Sequence, residues 1–164
     1  MELIKEQQWI VIAIIFFGII IFISLKRWVD QQWIERKFNK KNVRVVSFGV
    51  TSYGKLSEPG APPKHIGFLV LLKDGLCFRS RWRKIEILIP ASTIIAVYHD
   101  VTHKGMDLFQ SVVKIDFLSQ DGTQDGVAFK VPYPPQWIQA IESLLPEKTE
   151  VSNRKNNKSN NKKV

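Results

Sequence analysis

Gly67-Phe68-Leu69-Val70-Leu71-Leu72-Lys73-Asp74-Gly75-Leu76-Cys77-Phe78-Arg79-Ser80 holds two apolar segments on either side of one turn signal. An Asp-Gly pair readily takes the positive φ values of a two-residue hairpin turn, so Asp74-Gly75 predicts a tight reversal between two antiparallel strands. Side chains alternate along a strand, which puts Phe68, Val70 and Leu72 on one face. Leu76 and Phe78 are expected to resume that buried face on the return strand. An isolated hairpin is marginal in water, so the flanking sequence has to supply further strands.

Val43 to Val50 precedes the hairpin, and the alternating sets Ile85/Ile87/Ile89, Ile95/Val97, Val113/Ile115/Phe117 and Val127/Phe129/Val131 follow it. Ser119-Gln120-Asp121-Gly122 forms a turn between the last two. Together these predict about seven half-buried strands. Pro134-Pro135-Gln136-Trp137-Ile138-Gln139-Ala140-Ile141-Glu142-Ser143-Leu144-Leu145-Pro146 then reads as a helix. Proline suits its first turn, Trp137, Ala140 or Ile141, and Leu144 recur at helical spacing, and Pro146 stops it. A sheet of this size curls into a partly open barrel that one amphipathic helix can cap. The expected class is mainly β with α, and residues 43–146 are enough for one such domain.

These residues resemble the pleckstrin-homology (PH) superfold, and within it the GRAM-like and bacterial PH-like domains. The resemblance rests on residues 67–80, on Ile87-Leu88-Ile89-Pro90 with Ile94-Ile95-Ala96-Val97, and on Phe129-Lys130-Val131 followed by Trp137; it covers Val43 to Leu145. It implies a seven-stranded bent sheet capped by a C-terminal helix, and binding of lipid headgroups or protein partners rather than catalysis. Phosphoinositide-binding PH domains carry basic residues on the first hairpin, here Val43 to Leu72 with a loop expected from Thr51 to His65. That loop holds only Lys55, Lys64 and His65 beside Glu58 and Pro59-Gly60-Ala61-Pro62-Pro63, which departs from the phosphoinositide pattern.

Ahead of the domain, Trp9-Ile10-Val11-Ile12-Ala13-Ile14-Ile15-Phe16-Phe17-Gly18-Ile19-Ile20-Ile21-Phe22-Ile23-Ser24-Leu25 is uncharged and closed by Lys26-Arg27. At ~1.5 Å per residue, Trp9 to Trp28 measures about 28 Å, close to a hydrocarbon core of ~30 Å. The segment reads as a transmembrane helix, residues 9–28. Trp9, Lys26, Arg27, Trp28 and Trp33 are the expected membrane-interface residues. Two other readings fit less well. A cleaved signal peptide wants a basic start and a small-x-small site, which Glu2, Lys5, Glu6 and Ile-Ser-Leu-Lys-Arg do not provide. A core helix apolar on every face would have to be wrapped on all sides. Gly18 has Ile14 and Phe22 four positions away, so no small-xxx-small face is offered for helix dimerisation.

Lys26, Arg27, Arg36, Lys37, Lys40, Lys41 and Arg44 follow the run, whereas Lys5 alone precedes it. The positive side stays cytoplasmic, so in the cell (plasma or inner) membrane residues 1–8 are expected outside and everything after Leu25 in the cytoplasm. Cys77 is the sole cysteine, compatible with a reducing compartment. Residues 29–42 form the juxtamembrane link. There Val29/Trp33 and Ile34/Phe38 predict one apolar helix edge, either a stalk or a segment lying on the leaflet. Of the formal charge of +9, Arg154, Lys155, Lys158, Lys162 and Lys163 supply five units, leaving a mildly basic folded part. Residues 147–164, rich in Asn, Lys and Ser, are expected to be a disordered polybasic tail. It could be merely solvated, touch the leaflet, or contact nucleic acid; no aromatic is there to stack on bases, and nucleic acid is the least favoured partner.

Chemistry-bearing motifs are sparse. His99-Asp100-Val101-Thr102-His103 has i,i+4 histidines, but the segment reads as a polar strand-to-strand connection, where the spacing brings no two rings together. No catalytic residue, metal ligand or cofactor is assigned. Arg79, Arg81, Arg83 and Lys84 around Trp82 form a candidate lipid-binding cluster, since guanidinium forks suit phosphate oxygens and tryptophan suits the headgroup layer. The alternative is a solvated loop whose tryptophan packs on the sheet edge. The expected function is a single-pass, membrane-anchored adaptor whose cytoplasmic domain docks a membrane-protein partner or complex. Anionic-lipid binding through Arg79 to Lys84 is the alternative, and a membrane-anchored enzyme subunit the third reading. The oligomeric state is left open.

Overall fold

The computed structural model describes residues 2–145, with side chains from residue 9 onward; the polybasic tail expected at residues 147–164 lies outside the described residues. Helix α1 (Glu2–Lys37) is followed by a single 3-10 turn, Lys40–Asn42. Seven strands come next: β1 (Val43–Lys55), β2 (His65–Leu72), β3 (Gly75–Ser80), β4 (Glu86–Pro90), β5 (Ile94–His103), β6 (Met106–Leu118) and β7 (Gln124–Lys130). Helix α2 (Pro134–Glu142) ends the described fold. The strands form one open antiparallel sheet in the order β4-β3-β2-β1-β7-β6-β5. The mainly β architecture with an apolar N-terminal helix and a C-terminal helix is therefore as the sequence predicts.

Along Trp9–Lys37, α1 is long and apolar enough to cross a membrane, and its most apolar window is unburied throughout. A core helix would be covered by protein, so that alternative does not describe α1.

The two larger of three apolar cores lie on opposite faces of the sheet. On one face Leu69, Leu71, Leu76 and Phe78 pack with Ile115, Phe129 and the α2 residues Trp137 and Ile141. On the other, Phe68, Val70, Leu72 and Cys77 pack against Ile34 near the end of α1. The expectation that Leu76 and Phe78 share a face with Phe68, Val70 and Leu72 is thus corrected. The register pairs Leu71 with Leu76, Leu69 with Phe78 and Val70 with Cys77, and residues directly opposite across a ladder point the same way. A strand apolar at every position, as Phe68 to Leu72 is, belongs between two covering layers.

Three more expectations shift. β1 runs on to Lys55, so Thr51 to Lys55 is strand rather than loop, and Thr51 and Ser52 pair with Lys130 and Phe129 of β7. Thr51 and Ser52 pair with β2 on their other edge, and the strand bends at bulges beside Gly49 and Gly54, whose φ of 74° and 71° suit glycine. At the start of β5 a register shift between Ile94 and Ala96 turns Ile94 into the core and leaves Ile95 exposed. Finally, His99 to His103 is part of β5, not a connection: His99 bonds Ser111, while His103 is buried against β1.

His103 supports a pH prediction. Its Nε2 lies 3.0 Å from the Gly54 carbonyl oxygen; a carbonyl only accepts, so Nε2 carries the proton. Nδ1 is buried without a partner. Burial pushes the imidazole below its ordinary pKa, the Gly54 bond opposes this, and Lys114 and Lys104 add repulsion. Between the folded pKa and the ordinary value of ~6.5 the unfolded chain binds a proton that the folded chain refuses. Stability is fully present above about pH 6.5 and falls as the pH drops below it. Urea unfolding in mild detergent from pH 7.5 to 5 should show this decline, flattened in His103→Gln.

Candidate membrane-interface site

The last turns of α1 put Asp30, Trp33, Ile34 and Lys37 on one helical face, at i, i+3, i+4 and i+7. That face lies against the outer side of β2, β3 and β4. Ile34 is buried among Phe68, Val70, Leu72 and Cys77. Trp33 meets Phe68 edge-on at 5.5 Å between centroids and Phe38 at 5.9 Å. Val29, expected on the apolar edge with Trp33, is instead exposed, because the buried stripe starts one residue later at Asp30.

Charged groups surround this apolar seat. The Arg81 guanidinium donates from Nη2 and Nε to Asp30 Oδ2 at 2.6 and 3.0 Å, and Asp30 is only 9% exposed. The Arg79 guanidinium carbon lies 4.1 Å from the Trp33 ring centroid, the stacking a flat, weakly hydrated cation favours. Lys37 pairs with Glu86 of β4. Lys26 holds its ammonium 4.8 Å over the Trp82 ring.

The candidate cluster therefore divides. Arg79 and Arg81 turn toward α1. Trp82, Arg83 and Lys84 stay exposed at the β3–β4 tip, with Trp82 at 69%. The tip is shaped by Arg81 N–H to Ile66 O at 2.9 Å, Ser80 N–H to Ile85 O at 2.9 Å and Arg83 N–H to Ser80 Oγ at 3.3 Å. Of the expected membrane-interface residues, Trp9, Arg27 and Trp28 are exposed, Lys26 is half-buried at Trp82, and Trp33 is half-buried in the seat on β2.

Cys77 sits in the outer core beneath α1 and is fully buried. Burial, then the nearby Glu86 carboxylate, push its thiol up to about 12. The thiolate is the reactive form, so at neutral pH this group is inert while α1 stays seated. Among the described residues no group of three or more His, Cys, Asp or Glu side chains could hold a metal ion.

Sequence reasoning missed Asp30, Ile34, Phe68 and Glu86 as members of one assembly. The available signal was the face Asp30-Trp33-Ile34-Lys37, in which two apolar residues are flanked by ionic ones at helical spacing. Searches against models of protein families and against curated proteins found no match to this chain.

Proposed function

We propose that this chain is a single-pass, membrane-anchored binding protein, with its N-terminus outside and a PH/GRAM-like domain in the cytoplasm that docks a membrane-protein partner or complex. The excess of Lys and Arg after Leu25 supports the orientation, and the cell membrane is the membrane it fits. The sheet order with its C-terminal helix supports the PH/GRAM-like reading. Binding is favoured over catalysis because the semi-buried carboxylates are engaged in holding the fold: Asp100 accepts from Lys114 at 2.9 Å, Asp125 from Ser57 at 2.8 Å, and Asp30 from Arg81.

Phe109 carries this reading. It is 91% exposed and sits at a φ of 52°, a region that bulky residues rarely occupy. The Asp107 carboxylate holds it there by accepting the Phe109 N–H at 2.7 Å. Nearby, β5 ends the sheet with an unpaired edge and exposes Ile95, Tyr98 and Val101. A free edge beside an exposed aromatic suits a protein partner, which supplies backbone pairing and a pocket for the ring.

A photocrosslinking amino acid at position 109 in native membranes should trap a discrete membrane protein, and one at Lys73, in the β2–β3 turn, should not. Phe109→Ala should weaken capture of that partner by about 30-fold, the scale of one aromatic hot spot. Equal, diffuse adducts from both positions would refute the docking surface.

A further inference from the structure

The contacts between α1 and the β3–β4 hairpin come in a definite order. Passing along α1 from Trp33 through Asp30 to Lys26, toward the apolar run, the partners are Arg79, Arg81 and Trp82. β3 thus runs against α1, and its loop points at the end of the helix that enters the membrane. Trp33 to Lys26 is a climb of about 10 Å. Lys26 follows Leu25, the last residue of the uncharged run, so the Trp82 ring under its ammonium stands where the hydrocarbon ends. The headgroup layer on each side is about 5–7 Å deep.

The side chains at this level have one character. Trp82 and Trp28 are 69% and 60% exposed, amphipathic rings of the kind that settle at membrane interfaces. Lys26, Arg27, Arg83 and Lys84 are the cations around them, and the acid of this part of α1, Asp30, is already bound by Arg81. Among the described residues this surplus is positive, and Arg27, Arg83 and Lys84 form no salt bridge.

We propose that the β3–β4 tip, Trp82-Arg83-Lys84, together with Lys26, Arg27 and Trp28, is a binding surface for anionic phospholipid headgroups of the membrane that α1 crosses. Arg79 and Arg81 are not headgroup ligands; they fix the tip at that depth. This inference rests on the anchoring role proposed for α1. Each cation at the surface changes the bound-to-free ratio of the tip about fivefold, so Arg83 and Lys84 act as a selector for anionic lipid once the helix has brought them there.

The test uses the full chain in liposomes with and without phosphatidylglycerol, labelled with an environment-sensitive fluorophore at one introduced cysteine. Cys77 is buried and does not compete. The positions are Lys84→Cys at the tip, Ile20→Cys in the run, and Lys73→Cys in the β2–β3 turn at the far end of β3; lipids brominated near the headgroup serve as quenchers. The expected result is quenching at 20 and 84 but not at 73, with the signal at 84 rising with phosphatidylglycerol, falling at high salt and weakening in Arg83→Ala. Quenching at 20 with none at 84 overturns the inference and leaves the anchor standing. Quenching at 84 that ignores lipid charge overturns the anionic assignment. No quenching at 20 removes the anchor and the inference with it.

Discussion

Arg81→Ala should detach the C-terminal end of α1 from the sheet. The substitution leaves the Asp30 carboxylate, 9% exposed, without the guanidinium that supplies both its hydrogen bonds. Breaking a largely buried ion pair from one side costs about 3–5 kcal/mol; with side-chain exposures of 21% and 11%, water can relieve part of this, and about 2–4 kcal/mol is expected. Cys77 provides the readout, because it lies under the seated helix and its thiol is both covered and pushed up to about 12. Maleimide labelling under native conditions should therefore speed up about 30-fold or more, since 1.4 kcal/mol is a factor of ten. The double variant Asp30→Ala/Arg81→Ala should label more slowly than Arg81→Ala alone, because no bare charge remains under the helix. Identical rates for the single and double variants would mean that Asp30 is solvated and contributes nothing to the seat.

The consequence for function is mechanical. A flexible tether would confine the domain near the bilayer but let it turn, whereas a seated one presents fixed surfaces at fixed heights. Confinement alone raises the effective concentration of weak contacts; fixed orientation also selects which of them can form. On this arrangement the β3–β4 tip faces the membrane level of α1, and Phe109 with the β5 edge belongs to the other end of the strand order. If both proposed surfaces are used, one molecule would hold to lipid on one side and to a protein on the other.

Much of this was legible in the chain. The period-two sets and the Asp74-Gly75 turn mark the strands because burial on one face leaves a local, repeating trace, and Trp137 and Ile141 mark α2 in the same way. The register of a single bulge leaves no such trace, so alternation pairs Ile95 with Val97 although Ile94 is the residue that enters the core. Alternation alone places Leu76 and Phe78 with Phe68, Val70 and Leu72, whereas the unbroken apolarity of Phe68 to Leu72 fits a strand covered on both faces. The candidate site was legible only in part. Arg81 and Asp30 are 51 positions apart, and a charge pattern shows which residues are ionic but not which of them meet. A basic loop destined for an internal ion pair looks the same as one displayed to solvent or to lipid.

Truncating Phe68 and Phe78 in turn separates the two cores. Both rings are essentially fully buried, and removing either should cost about 3–5 kcal/mol through lost burial and the cavity left behind. They lie on opposite faces of adjacent strands. Phe78 packs on Phe129, 5.5 Å between centroids, in the core closed by α2. Phe68 lies between Trp33 at 5.5 Å and Phe48 at 6.1 Å, in the core closed by α1. Phe68→Ala and Phe78→Ala should therefore lower the midpoint of thermal unfolding in detergent by similar amounts, yet only Phe68→Ala should accelerate labelling of Cys77 well below that midpoint. Amide exchange should follow suit, rising in residues 29–37 for Phe68→Ala and in α2 for Phe78→Ala. The contrast depends on α1 being a lid over one core with its own opening equilibrium, distinct from unfolding of the sheet. Equal acceleration of Cys77 by both variants would show instead that the helix end and the sheet open only together, and that the seat of α1 is part of a single cooperative unit.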